Sequence, residues 1–482
     1  MKIPQLTSRQ TFAGILLIGL LAMTARNAVD PDLWWHLRTG QWIMETGQIP
    51  HADPFSFTRG GQPWISHEWL SEVVFYLIWR SLGSAGLIIF SALVTTAGFF
   101  LLYRRCPGKP AAAAAVLTLG ALAAAPAWGA RPQMFTFTLA SLLLWLLERG
   151  VERPRLVLAI PPLFLLWLNL HAGFALGPAL IAAFGLGLLW EAASGETPWP
   201  EIRPTLGRLA LVLAACAALV PLNPSGTRLF RYPLDVLRSA EMRSFINEWF
   251  PPDFHHIRYV PVFLIWTALL LALAISRRRP RARVLAPLVL TFFAALDAVR
   301  HIPLLVLLAV PVIGAALTFD PRPRPLLREA SGGYRVVFRA AVLLLLSGFA
   351  VTRWVGLARQ QPQVEKSEYP AEAISYLRAH SAPSRLFVYY DWGGYAIWKL
   401  YPEYRVFIDG RADLYGDGIL RDFRRTAEFH SGWRAVLDGQ DVETVLVPPV
   451  GALAQGLLLD PAWRAQYRDS QAILFVRVRG PA

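Results

Sequence analysis

The 482-residue chain is 55% hydrophobic and only 17% charged, with a mean hydropathy of +0.39. Soluble domains carry about 25% charged residues, so an ordinary soluble enzyme and a disordered chain are both excluded. The net charge of +14 is almost all arginine, lysine standing only at Lys2, Lys109, Lys366 and Lys399; in a polytopic membrane protein such a surplus marks the cytoplasmic side rather than a nucleic-acid partner. Cys106 and Cys216 lie in or beside apolar segments and make neither a disulfide framework nor a metal pattern.

In chain order, the sequence opens on Lys2 and Arg9 followed by apolar Phe12 to Met23, read as a first transmembrane helix acting as a signal anchor. A span needs about 20 mostly apolar residues. Stretches of this kind fall at 11–29, 84–103, 111–128, 133–148, 155–170, 172–190, 208–222, 259–275, 284–299, 302–318 and 336–357, eleven in all. With the N-terminus cytoplasmic, the basic residues fall on one side: Arg104, Arg105 and Lys109, then Arg149, Arg153 and Arg155, then Arg203 and Arg208. Arg277, Arg278, Arg279, Arg281 and Arg283 follow, and Arg322, Arg324 and Arg328 close the series. An odd number of spans then puts the tail outside. The expected architecture is a polytopic α-helical membrane domain over 1–358 and a small soluble α/β domain over 359–482.

The opposite face differs in kind. DPDLWWHLRTG (30–40), ISHEWLSE (65–72), ARPQ (130–133), NLHAG (169–173), NPSG (223–226), NEWFPPDFHH (247–256) and DAVRH (297–301) all fall on it. Polar groups at membrane depth are expensive and usually have a task. The first outer loop, 30–83, reads as two interfacial helices: one holds Trp34, Trp35, Leu37, Trp42, Ile43 and Met44, and the other runs from His67 to Arg80, with a loop over 47–66 between them. In the tail, 370–380 reads as helical. LFVYY (386–390), YRVFID (404–409), TVLVP (444–448) and AILFVRV (472–478) read as strands, alternating with helices near 419–437 and 450–467.

Asp30-Pro31-Asp32 follows the first span directly. Two carboxylates at this spacing suit a general base or a metal–phosphate pair, and equally suit a helix start, with Asp30 as cap, Pro31 at the first position and Asp32 favouring the dipole. His67 and Glu68 open the second loop helix, where they would orient a hydroxyl or the first carboxylate, or simply begin a helix. Arg131 stands outside against the basic bias, as a phosphate clamp or a snorkelling side chain. Asn169 and His171 end one span; Asp297, Arg300 and His301 end another on the same side. Asp297 and Arg300 are spaced to pair on one helix, and with Arg131 the basic groups would make an anion pocket. The adjacent His255 and His256 lack zinc spacing. Phosphate-binding Gly loops, nucleophile elbows and zincin helices are absent from the sequence. In the tail, DWGGY (391–395) and DGRAD (409–413) read as turns with local ion pairs.

This pattern resembles the GT-C superfamily of integral-membrane glycosyltransferases, among them protein O-mannosyltransferases and the aminoarabinose transferases of lipid A. The likeness rests on the DxD-like Asp30-Pro31-Asp32 after the first span, the long first outer loop with two interfacial helices, and the many-span body with an outer C-terminal domain. DPDLWWHLRTG, HEWLSE, RPQ, NLHAG and WGGYAIW…VFIDGRADLYG are similar to an uncharacterised bacterial subgroup. Where many relatives have Asp followed by Glu, this chain has Pro31 and then Asp32, leaving the choice of base open.

The resemblance implies a hexosyl- or pentosyltransferase of the bacterial inner membrane, with the C-terminal domain periplasmic. The donor would be a polyprenyl-phosphate-linked sugar, transferred with inversion to a protein, lipid or glycan hydroxyl among membrane lipids. Asp30 or Asp32, with Glu68, would carry the catalysis; Arg131, His171, Arg300 and His301 would hold the donor phosphate, with His36, His67, Asn169 and Asp297 nearby. Some GT-C enzymes use a divalent metal, Mg or Mn, which Asp30 and Asp32 would bind here. The rival readings are a transporter or flippase of a lipid-linked glycan, which would favour inverted repeats and helices broken at the midplane, and a non-catalytic envelope scaffold.

Overall fold

The computed structural model describes residues 7–276, 279–317 and 332–478; Lys2, Arg277, Arg278, Arg322, Arg324 and Arg328 of the basic series lie outside them. The chain divides into two compact units, one of residues 1–26, 88–222 and 247–358, the other of 27–87, 223–246 and 359–482.

The first unit is helical. It holds Ser8–Thr24, Pro110–Ala124, Gln133–Gly150, Ile160–Leu170, Leu176–Ala193, Trp199–Leu219, Val260–Ile275, Ala282–Asp297 and Ile302–Leu317, together with the apolar parts of the long helices Trp69–Arg105 and Gly332–Glu368. Each of the eleven apolar stretches read from sequence coincides over most of its described length with one of these helices. Among the described residues, seven helices are long and apolar enough to cross a membrane. A capping box starts helix Ser8–Thr24: the Thr7 hydroxyl accepts from the Gln10 N–H while the Gln10 side chain accepts from the Thr7 N–H.

Ile302–Leu317 is the most enclosed helix, buried at every position from Ile302 to Val310, and neighbouring helices reach it through small residues. A Cβ added at Gly120 would stand 2.7 Å from Val310 Cγ2, the close approach that glycine permits between membrane helices. Basic residues at the helix ends are tied down. Arg105 donates to Glu148 at 2.7 and 3.0 Å and to the Leu307 carbonyl at 2.7 Å. Arg283 pairs with fully buried Glu191 through Nε at 2.8 Å.

The second unit is built around a five-stranded sheet of β1 (Arg385–Val388), β2 (Arg405–Val406), β3 (Thr444–Val447), β4 (Trp463–Arg468) and β5 (Ile473–Arg477), in the order β2-β1-β3-β5-β4. β1 runs parallel to β2 and β3; β5 runs antiparallel to β3 and β4. β3 is buried at every position, as expected of a strand covered on both faces, where an unbroken apolar run replaces alternation.

The sequence reading of the tail needs three corrections. The stretch 450–467 is not one helix: Ala452–Leu458 ends before Asp460-Pro461, since Pro461 cannot continue the ladder, and Trp463 to Arg468 form edge strand β4. The helix near 419–437 is two, Ala412–Ala427 and Trp433–Gly439, parted at left-handed Gly432 (φ 88°). β1 and β2 are also shorter than read, β2 having two residues.

The first outer loop packs with this sheet. Val406 donates to the Phe55 carbonyl, Phe57 donates to the Val406 carbonyl, and the Thr58 hydroxyl reaches the Phe407 carbonyl at 2.6 Å, so residues 55–58 extend the sheet beside β2. Helix Leu33–Thr46 buries Trp34, Trp35 and Leu37, where an interfacial helix had been expected. A Cβ on its Gly40 would stand 2.1 Å from the Glu72 carbonyl oxygen. The second loop helix is not separate: Trp69–Arg105 runs on through a kink at Gly83 (φ 60°), a conformation that glycine adopts without strain.

Candidate active site

The residues singled out from sequence gather into two clusters, one in each unit.

In the sheet-bearing unit, the acidic turn is held by its own backbone and by the tail. Tyr369 donates its hydroxyl to the Val29 carbonyl at 2.6 Å, and Gln361 brackets Ala28 by accepting from its N–H and donating to its carbonyl. Asp30 Oδ1 accepts the Asp32 N–H at 3.0 Å, a local turn of the kind Asp favours. Asp32 precedes helix Leu33–Thr46 without capping it through its side chain; its Oδ1 accepts the Trp35 indole N–H at 3.1 Å. Both residues are half-buried.

The turn is seated on glycines of the two tail motifs. A Cβ on Gly410 would lie 1.8 Å from Asp32 Oδ1, and one on Gly394 would lie 2.6 Å from the Pro31 carbonyl oxygen. DWGGY is not the turn expected from sequence, since Tyr390–Trp392 is a 3-10 segment leading into helix Gly393–Leu400, and both motifs leave room for the acidic turn. Beside it, the half-buried Tyr390 phenol is pushed well above 10 by burial and by the field of Asp32, Asp409, Asp391 and Asp413, so it keeps its proton and can donate.

Behind the turn runs a buried chain of imidazoles and carboxylates. Glu68 lies 3.1 Å from His67 Nε2 and 3.6 Å from His36 Nε2; His36 Nδ1 lies 3.6 Å from Glu72. All four side chains are buried. The other His67 ring nitrogen, Nδ1, lies 3.1 Å from the Ile65 carbonyl, and Asn223 reaches the His67 carbonyl at 3.5 Å. Burial works against charge on His67, but Glu68, Asp413 and the Ile65 carbonyl outweigh it and raise its pKa. Asp413 is raised mainly by burial, with His67 opposing and Glu68 reinforcing. Glu68 is thus enclosed between two histidines. Glu72 and Asp413 were not among the expected site residues; each lay inside a quoted motif, and the helical spacing of Glu68 and Glu72 was the available signal.

DGRAD contains the expected local ion pair and a distant one besides. Buried Arg411 donates to Asp409 at 2.8 and 2.7 Å and to Asp53 at 2.7 Å, and Tyr415 donates its hydroxyl to Asp409. The guanidinium lies over Trp64 and Phe55, at 4.6 and 5.2 Å. Arg411, with hydrogen bonds from Ser56 and Phe55, outweighs burial and holds Asp53 below the usual carboxylate range.

The helical unit brings together four of the outer-face motifs. Arg131 pairs with Glu248. Arg300 stacks over Trp249 at 4.4 Å, and His301 meets the same indole edge-on at 6.2 Å. Val299 donates its N–H to the Phe250 carbonyl. Glu248 is held low against the effect of burial by Arg131, Arg300 and His171. His171 Nδ1 accepts the Gly173 N–H at 3.0 Å and lies 2.6 Å from the Thr136 hydroxyl, which in turn accepts the Trp167 indole N–H. Asn169 donates to the Leu165 carbonyl of its own helix at 2.8 Å, and Asp297 ends helix Ala282–Asp297 beside the arginine motif. Two guanidiniums and a histidine around one carboxylate suit an anion.

Among the described residues, no three His, Cys, Asp or Glu side chains are grouped to hold a metal ion.

No family model matches the chain, and no curated protein matches it. Solved structures do. The archaeal oligosaccharyltransferase AglB from Archaeoglobus fulgidus, solved with an inhibitory peptide and a dolichol-phosphate, aligns with a TM-score of 0.57 at 13% identity, over 91% of this chain and 69% of its own. ArnT from Cupriavidus metallidurans, bound to undecaprenyl phosphate, aligns with a TM-score of 0.52 at 15% identity, over 98% of each chain. The chain has the GT-C fold. A third GT-C structure, the arabinofuranosyltransferase AftD from Mycobacteria, aligns with a TM-score of 0.51 at 14% identity, over 99% of this chain and 42% of its own.

Proposed function

We propose that the protein is an inverting glycosyltransferase that moves a sugar from a polyprenyl-phosphate donor to an acceptor hydroxyl. The observation that carries this reading is the Asp30-Pro31-Asp32 turn, half-buried and fixed by Trp35, Tyr369 and the glycine seats, in a chain with the GT-C fold. In a single displacement the acceptor oxygen attacks the anomeric carbon, the bond from that carbon to the phosphate oxygen breaks, and the acceptor proton passes to Asp30 or Asp32. The leaving polyprenyl phosphate keeps the bond's electron pair. Arg131, Arg300, His171 and His301 stabilise that charge, an effect that is large where water is excluded. Glu68, His67 and His36 position the turn from behind. No step is routed through a metal.

A transporter is less well supported: the polar residues collect at helix ends and in loops, and a transporter would favour broken helices at the midplane. Replacing both carboxylates, Asp30→Asn with Asp32→Asn, should abolish donor consumption while the protein still folds; full activity in the double variant would remove the acidic turn from the mechanism. The protein is placed in the bacterial inner membrane with its N-terminus cytoplasmic and its tail periplasmic, on the basic-residue bias. A reporter fused after residue 482 should be active only outside, and a cytoplasmic signal would overturn that topology.

A further inference from the structure

The sheet-bearing unit contains a cleft of about 390 Å³ that the mechanism above does not use. The loop before helix Trp69–Arg105, the segment 232–242 and the start of helix Ala412–Ala427 form its walls. Trp64, Ile65, Tyr232 and Met242 give it apolar surface; Asp235, Asp413 and Asp417 line it with carboxylates, against the one basic residue Arg238. In a chain of net charge +14 this lining is negative.

The polar groups are arranged rather than scattered. Ser239 donates to Asp417 at 2.5 Å, and Asp235 pairs with Arg231 at 3.0 Å. The Tyr232 ring lies 4.5 Å from the His67 ring, so one wall of the cleft rests on the end of the buried histidine–carboxylate chain. Asp413, in the field of the same histidine, also lines the cleft. The volume is at the small end of ligand pockets, which combine apolar walls with a few converging polar groups.

We propose that this cleft binds a saccharide that is neutral or carries an amine, and that it is the acceptor-side subsite of the transferase. Its role, though not its ligand class, rests on the transferase reading. Aromatic and apolar walls suit the C–H faces of a sugar ring, and carboxylates accept from its hydroxyls. A phosphorylated sugar would meet a lining with three acidic side chains and one basic one. Donor and acceptor would thereby be sorted by sign, the phosphate going to the arginines of the helical unit and the uncharged hydroxyl to the carboxylates here.

The test is saturation-transfer NMR of the full-length chain in lipid nanodiscs with three probes: glucose, glucosamine and glucose 6-phosphate. Glucose and glucosamine should bind, and glucose 6-phosphate should bind at least tenfold more weakly. Asp413→Asn should weaken glucosamine about tenfold. The exposed Asp235→Lys, which is remote from the core, should bring glucose 6-phosphate to within threefold of glucose. Equal binding of all three probes, or no response to either substitution, overturns the cleft. If the selectivity is missing while wild-type protein consumes its lipid donor, the cleft falls and the transferase stands. Selectivity without donor consumption supports the saccharide site and refutes the transferase reading instead.

Discussion

The two clusters hold charge in opposite ways. In the helical unit, Arg131 pairs with half-buried Glu248 and Arg300 stacks on Trp249, and Arg300 and His171 also act on the Glu248 carboxylate. In the sheet-bearing unit, Glu68 lies between the buried imidazoles of His36 and His67, Glu72 lies beside His36, and Arg411 is enclosed by Asp53, Asp409, Trp64 and Phe55. A lightly paired arginine can exchange its partner for an incoming anion at modest cost. A buried, fully paired network cannot exchange, and is suited to holding other groups in place. On the proposed transferase reading, the first cluster binds and releases an anion and the second positions other groups.

That comparison predicts graded responses. Arg411→Met should be the most damaging to stability, because it leaves Asp53 and Asp409 buried without their cation. Breaking such a pair costs about 3–5 kcal/mol, and thermal unfolding of the sheet-bearing unit should shift accordingly; an unchanged transition would mean that the network is not a structural lock. Gly410→Ala should leave stability nearly intact but move Asp32, since the added Cβ would land on its carboxylate. Misplacement by about 1 Å can cost 100-fold in rate, so a large fall in turnover with an unaltered unfolding transition is expected, and normal turnover would show that Asp32 is free to shift.

The smallest effects belong to the arginine cluster. Arg131→Ala should weaken undecaprenyl phosphate binding about 10- to 100-fold, the range of a hydrogen bond to a charged group. Glu248→Gln should act in the opposite direction, tightening the same lipid up to about fivefold, as a partly exposed ion pair gives way. Two changes of the same sign would break the view that Glu248 occupies the place of an anion.

Much of this was legible in the sequence, because membrane helices declare themselves by length and apolarity and leave polar motifs at their ends. The motifs RPQ, NLHAG, NEWF and DAVRH were separately visible on one face, and the structure brings Arg131, His171, Glu248 and Arg300 together. Pairing between distant residues was not legible. Asp53 to Arg411 spans most of the chain, and the bonding of residues 55–58 beside β2 follows from backbone register rather than from any local pattern. The same limit explains the loop helices: Trp34 and Trp35 carry the signature of a membrane interface, yet a soluble core uses the same residues, and here they pack against the tail domain. The glycines of the tail motifs looked like turn residues because their role, making room for the acidic turn, appears only when both segments are folded.

The most direct test of the central claim is to measure lipid-linked sugars in a strain lacking the protein, complemented either with wild type or with the Asp30→Asn, Asp32→Asn double variant. A polyprenyl-phosphate sugar should accumulate in the deletion strain, be cleared by the wild-type protein and persist with the variant. Clearance by the variant as efficient as by wild type, or a pool that does not change in a strain free of redundant transferases, would contradict the account.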